Sequence, residues 1–228
     1  MSCKFVTQTC INCKYTDDYM VYFNDEPKDD FSAYKNYIDF DIQVCPNCGY
    51  IGLDIEKIAK PIFKTLQNQE EYKDILNYTY LDEYLEGIDT QILDSYPANL
   101  YEAYAMLQEK TLEVDEAIRG YFRAVILKEA IVRRFQKERV EDADEMEEDE
   151  IQDYINLENA LTESIKDNII KILDLFKISS QEKFTKVIYI ECLLRFFKVQ
   201  DAQTVFNQMQ NVDASLKEYI LNLIEQRR

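Results

Sequence analysis

The chain, 228 residues long, contains no histidine. That absence excludes mixed Cys/His metal sites, the two-histidine helix of zinc proteases and every nucleophile activated by an imidazole. Glycine is scarce too: the four residues at positions 49, 52, 87 and 120 never cluster, so no phosphate-cradling loop or dinucleotide fingerprint can be assembled. No apolar run is long enough to span a bilayer, and Met1-Ser2-Cys3-Lys4 opens without a basic stretch leading into an apolar one. Positive charge is outnumbered, with 26 Lys and Arg against 44 Asp and Glu, a formal net charge of −18 and a sequence pI near 4.4. Such a chain repels phosphate instead of displacing counterions from it. The expectation is a cytoplasmic, non-enzymatic protein that binds neither nucleic acid nor membrane.

Against these absences stand six cysteines, four of them in two Cys-x-x-Cys pairs. Cys10-Ile11-Asn12-Cys13 and Cys45-Pro46-Asn47-Cys48 lie about thirty residues apart, the spacing of a four-thiolate metal site in which each pair forms a tight knuckle. Pro46 stiffens the second turn, and Gly49 supplies a positive-φ position that lets backbone N–H groups face a sulfur. Lys14 stands where the first knuckle would carry its glycine, which makes that half the less regular one. Cys10, Cys13, Cys45 and Cys48 are the predicted metal ligands, in a reducing compartment rather than a disulfide framework. Local charge gives no opening to nucleic acid: residues 1 to 60 hold six lysines and ten acidic residues. Cys3 is read as a spare thiol in a mobile N-terminus rather than a swap ligand or redox partner.

In chain order, residues 1–53 are expected to form a small β unit around the metal. Tyr19-Met20-Val21-Tyr22-Phe23 and Phe40-Asp41-Ile42-Gln43-Val44 are β-branched or aromatic, partly alternating segments, and 24–30 is a polar loop between them. A unit this small has little core of its own, so the metal would supply much of its folding free energy. From about residue 54 the apolar period changes to about 3.6 and stays helical to residue 228. Asp54 is a plausible N-cap and Pro61 suits a first helical turn. A helix over 71–86 would carry Tyr72, Ile75, Leu76, Tyr80, Tyr84 and Leu85, ending at Gly87; its tyrosines read as core and rim rather than as a binding cage.

After Pro97, Leu100-Tyr101-Glu102-Ala103-Tyr104-Ala105 opens one helix, and Ala117, Tyr121 and Ala124 mark a second. Small residues at 105 and 117 would let two antiparallel helices approach closely. Tyr189, Ala202 and Phe206 repeat the relation of Tyr104, Ala117 and Tyr121, with Ile190 in place of the small residue. Helix pairs are therefore expected at about 98–139 and 180–210, similar to tetratricopeptide pairs. The acidic run 138–150 reads as a solvated segment, its alternative being a dock for a basic partner. Asp115–Arg119 and Glu129–Arg133 have the spacing of i,i+4 ion pairs, and no phosphate site is expected among the neighbouring basic residues. Leu157, Leu161, Ile165, Ile169, Leu173 and Phe176 form one stripe of a long helix over 151–178. Further helices are expected at 180–198, 201–210 and 213–227, with Cys192 a small core residue.

Taken together, the knuckle stretch 40–50, Tyr121-Phe122-Arg123-Ala124-Val125-Ile126-Leu127 and Tyr189-Ile190-Glu191-Cys192-Leu193-Leu194-Arg195 resemble an uncharacterised bacterial domain-of-unknown-function family. That family joins an N-terminal zinc ribbon to tetratricopeptide-like helices. The resemblance implies a cysteine-ligated metal site and a helical interaction surface, and it implies no activity. The expected fold is mainly α: a four-cysteine zinc ribbon over 1–53, then an all-α helical-hairpin domain over 54–228. The cofactor is zinc, and the partner a protein or peptide, basic if the acidic run is its dock. The alternative is a rubredoxin-like iron site carrying one electron, since two such knuckles suit both metals.

Overall fold

A computed structural model describes residues 2–23, 42–53, 55–56, 62–77, 92–141, 146, 148–210, 212 and 214–227. The chain is mainly helical, with small N-terminal antiparallel β hairpins preceding the helices. Strands β1 (Ser2–Thr9) and β2 (Thr16–Phe23) form the first hairpin, with Thr9 opposite Thr16 at its closed end. Strands β3 (Gln43–Val44) and β4 (Ile51–Gly52) form the second, with Val44 opposite Ile51. Each hairpin loop is one of the Cys-x-x-Cys turns. The N-terminus is thus a strand, with Cys3 opposite Tyr22, and not the mobile tail expected from sequence. The polar loop 24–30, Phe40, Asp41, Asp54, Pro61, Tyr80, Tyr84, Leu85 and Gly87 lie outside the described residues, and so do 142–145 and 147 of the acidic run.

The helices are α1 (Phe63–Leu66), α2 (Glu70–Asn77), α3 (Ile92–Lys110), α4 (Val114–Glu141), α5 (Glu148–Phe176), α6 (Lys183–Arg195), α7 (Val199–Asn207) and α8 (Ala214–Glu225). Helix α3 starts before Pro97, not after it: the missing N–H at that position removes one intrahelical bond but does not end the helix. Ile55 and Glu56 form a turn rather than the start of a helix. The expected apolar stripe of α5 is displaced at one point, where Ile172 is fully buried and Leu173 only partly.

The described residues form three apolar clusters, the smallest packing Ile131 and Phe135 of α4 against Tyr154, Leu157 and Leu161 of α5, and the other two organise the rest. The larger gathers Ala105, Ala117, Tyr121 and Phe122 with residues of α5 to α8, including fully buried Cys192. The second runs without a break from the β hairpins into the helices, packing Tyr50, Ile51 and Ile55 with Phe63, Tyr72 and Leu107. Between α3 and α4 the backbones meet at Gly120, where an added Cβ would lie 2.9 Å from the Ala105 Cβ and 3.1 Å from the Tyr101 carbonyl oxygen.

Charged side chains tie the helices together. Lys128 is fully buried, ion-paired with Glu102 of α3 and donating to Ser164 Oγ of α5 at 2.6 Å. Arg195 donates Nε and Nη2 to the two oxygens of Glu129 at 2.7 and 2.9 Å, and Nη1 to Glu191 Oε2 at 3.0 Å. The Tyr219 hydroxyl completes that network by donating to Glu191. Glu129 therefore pairs across helices with Arg195 and not with Arg133, because the planar fork of Arg195 meets both carboxylate oxygens at once. Arg119 pairs with Glu116 and Glu182 rather than with Asp115, which accepts the Ser180 N–H instead. Among the described residues, no helix is long and apolar enough to cross a membrane.

Candidate metal centre

The two hairpin loops are the same turn built twice. In the first, the Lys14 N–H donates to the Cys10 carbonyl at 2.8 Å and the Cys10 N–H to the Tyr15 carbonyl at 2.8 Å. In the second, Gly49 N–H donates to the Cys45 carbonyl and Cys45 N–H to the Tyr50 carbonyl, again at 2.8 Å. The residue after the second cysteine is left-handed in both, with φ 65° at Lys14 and 70° at Gly49. Lys14 therefore adopts the turn that glycine adopts in the other knuckle. The sequence irregularity is a local strain on a non-glycine residue, not a different geometry.

Neighbouring elements hold the turns against each other. The Ile11 N–H donates to the Ile55 carbonyl at 3.1 Å, and Ile55 N–H donates to Gln43 Oε1 at 3.0 Å, so residue 55 bridges the hairpins. Thr9 N–H donates to Glu56 Oε1 at 2.8 Å. From the helical side, the Tyr72 hydroxyl of α2 donates to the Gly49 carbonyl at 2.9 Å. Tyr50 meets Phe63 edge-on with ring centroids 5.0 Å apart, and Phe63 meets Tyr72 in the same way at 5.8 Å. Tyr72, expected as core or rim, is buried and also grips the second knuckle.

These contacts bring the four sulfurs of Cys10, Cys13, Cys45 and Cys48 within 4.8 Å of one another. Two pairs join opposite knuckles, Cys13 with Cys45 at 3.5 Å and Cys10 with Cys48 at 3.8 Å. A disulfide needs its sulfurs about 2.05 Å apart, and all four cysteines are free. A tetrahedral ion with four metal–sulfur bonds of about 2.3 Å has edges of about 3.8 Å, and the two cross-knuckle separations of 3.5 and 3.8 Å lie close to that value. Four cysteines this close could hold a metal ion, and the donor set fits a soft, tetrahedral one such as zinc or iron.

The local electrostatics show what the sulfurs ask for. Cys10 and Cys45 are buried, Cys13 and Cys48 partly exposed. Burial pushes the Cys48 thiol up to about 12, against the opposing hydrogen bonds from the Asn12 side chain and the Tyr50 backbone N–H. Burial also opposes ionisation of Cys13. There, hydrogen bonds from the Asn47 side chain, the Tyr15 backbone N–H and the neighbouring thiols outweigh it and bring the group down to about 6. Burial raises Cys10 as well, despite hydrogen bonds from the backbone N–H groups of Cys13 and Asn12. Four thiolates cannot coexist in this volume unless a cation compensates them. Beside the cluster, burial raises the Tyr50 phenol to about 12, with the charges of Cys10, Glu113 and Cys48 acting in the same direction.

The predicted ligands thus converge, while other residues around them were not singled out by the sequence. Asn12 and Asn47 were missed, although the same amide at the third position of both knuckles was a visible signal. Tyr72 and Ile55 were not legible as site-positioning residues, because their contacts to the knuckles cross from separate elements. No protein-family model, curated protein or solved structure matches the chain. The resemblance to a ribbon-plus-helices family therefore rests on its motifs alone.

Proposed function

We propose that the chain is a non-enzymatic zinc protein in which Cys10, Cys13, Cys45 and Cys48 hold a closed structural ion and the helices serve as a scaffold for protein or peptide contacts. The observation that carries the metal part is the convergence of the four sulfurs to within 4.8 Å of one another. Four protein ligands leave no open position for a substrate or an activated water, which argues against chemistry at the metal. The scaffold part is supported by the two helix pairs, α3 with α4 and α6 with α7, in which Ala105, Ala117, Ile190 and Ala202 are buried. A 34-residue tetratricopeptide unit has no room for helices of 28 and 29 residues such as α4 and α5, so that likeness is confined to the paired contacts.

A second reading, an iron site carrying one electron, is favoured by the partial exposure of Cys13 and Cys48, which places one side of the cluster near solvent. Metal content and visible absorption of protein purified without added metal or affinity histidines separate the two. One zinc per chain without colour is the expected result. One iron with a reversible visible band would replace the structural reading by the electron-transfer one, and absence of any metal at stoichiometry would sink both.

A further inference from the structure

Asn12 and Asn47 occupy the same place in two turns of the same geometry, one residue before the outer cysteine of each. Neither amide serves its own knuckle. Asn12 Nδ2 donates across to Cys48 Sγ at 3.5 Å, and the Asn47 amide, in the matching place of the second turn, lies against Cys13 and favours its ionised form. The two sulfurs so capped are the partly exposed ones, whereas the uncapped pair, Cys10 and Cys45, is already shielded by burial. Each capped sulfur also faces a backbone N–H from two residues further along, Tyr15 for Cys13 and Tyr50 for Cys48.

Four thiolates around a divalent ion carry a residual charge of −2, in a chain whose net charge is already −18. N–H dipoles aimed at sulfur drain electron density from the thiolate and reduce its attraction for protons, alkylating agents and competing metals. A donor supplied by the opposite knuckle adds a mechanical constraint, because one turn cannot swing away without breaking the other's hydrogen bond. We propose that Asn12 and Asn47 form a reciprocal amide clamp, a pair of positioning residues that lock the two knuckles around the ion and keep the outer thiolates Cys13 and Cys48 unreactive. The inference rests on the reading of the cysteine cluster as a metal centre.

The test uses the full chain loaded with one equivalent of zinc, native and as Asn12→Ala, Asn47→Ala, the double alanine variant, Asn12→Asp and Asn47→Asp. Zinc release into excess coloured chelator is timed, and thiols alkylated by iodoacetamide during release are located by mass spectrometry. Loss of a contact of this kind changes metal affinity about 10- to 100-fold, so each single variant is expected to release zinc about 10-fold faster and the double variant faster still. Aspartate keeps the shape of asparagine but presents an acceptor where the N–H was, so it should release at least as fast as alanine. The alkylation pattern should be crossed: Asn12→Ala exposes Cys48, and Asn47→Ala exposes Cys13. Release within twofold of native in every variant, aspartate variants that behave as native, or enhanced labelling on the variant's own knuckle would each overturn the clamp. If native protein retains one zinc and the variants do not differ from it, the clamp alone fails; if native protein retains none, the metal centre fails and takes the clamp with it.

Discussion

Lys14 shows how much a single backbone angle decides here. Its φ of 65° is forced by the hydrogen bond that closes the first knuckle, and Gly49 meets the same demand at 70° without a Cβ. A non-glycine residue in this region carries strain of order 1 kcal/mol, partly offset because glycine has more freedom to lose on folding. Lys14→Gly is therefore expected to stabilise the metal-loaded protein by about 0.5 kcal/mol, read as a raised denaturation midpoint at unchanged slope. A lower midpoint would mean that the lysine side chain contributes something the turn geometry does not require. The cysteines themselves were legible because a four-thiolate site imposes its spacing on the sequence. The supporting amides repeat visibly in the two knuckles, but their role was not legible, since asparagine in a turn ordinarily serves its own backbone.

At the scale of elements, periodicity identified the helices from α3 onward, and their ends shifted by a few residues where caps are weak. Helix α6 has Glu182 at its N-cap without a side-chain hydrogen bond, and α7 begins after Lys198 in the same way. Strand β1 escaped because Ser2–Thr9 is half polar and is defined by its partner β2 rather than by its own pattern. The pairing of α3 with α4 was legible through Ala105 and Ala117, yet a close backbone approach lies at Gly120, one helical turn beyond Ala117. Gly120→Ala gains up to about 1 kcal/mol of helix propensity. It also drives a methyl group to 2.9 Å from the Ala105 Cβ and 3.1 Å from a carbonyl, neither of which is the end of a flexible side chain. Overpacking of that kind costs about 1–3 kcal/mol, so the expected net is a loss of about 1–2 kcal/mol in chemical denaturation. A neutral or stabilised variant would show that α3 and α4 can part without disturbing the Lys128–Glu102 pair below them.

For the molecule as a whole, the question is how far loss of the metal would travel. The second β hairpin holds only two-residue strands, and among the described residues the apolar side chains of the hairpins share one cluster with the helices: Tyr50, Ile51 and Ile55 are buried against Phe63, Tyr72 and Leu107. Structural zinc contributes about 10–16 kcal/mol to folding in isolated finger peptides, more than a surface this small can replace. Removing it should release the hairpins together with α1 and α2, whose packing partners they are. The larger cluster spanning α4 to α8 contains none of the four site cysteines, and it is crossed by the Arg195 network and by the stacked rings of Phe176 and Tyr189 at 3.9 Å. It should survive. Hydrogen exchange on protein stripped by chelator, and separately on Cys45→Ser, is expected to show β1 to β4, α1 and α2 losing protection by orders of magnitude while α4 to α6 remain near native. Helix α3 lies between, since Leu100, Ala103 and Leu107 face the hairpin cluster while Ala105 belongs to the main core. Its loss of protection should be graded, largest on the face turned to the knuckles. Uniform loss over every helix would mean that the two clusters fold as one cooperative unit, and unchanged protection in the hairpins would remove the structural role assigned to the metal.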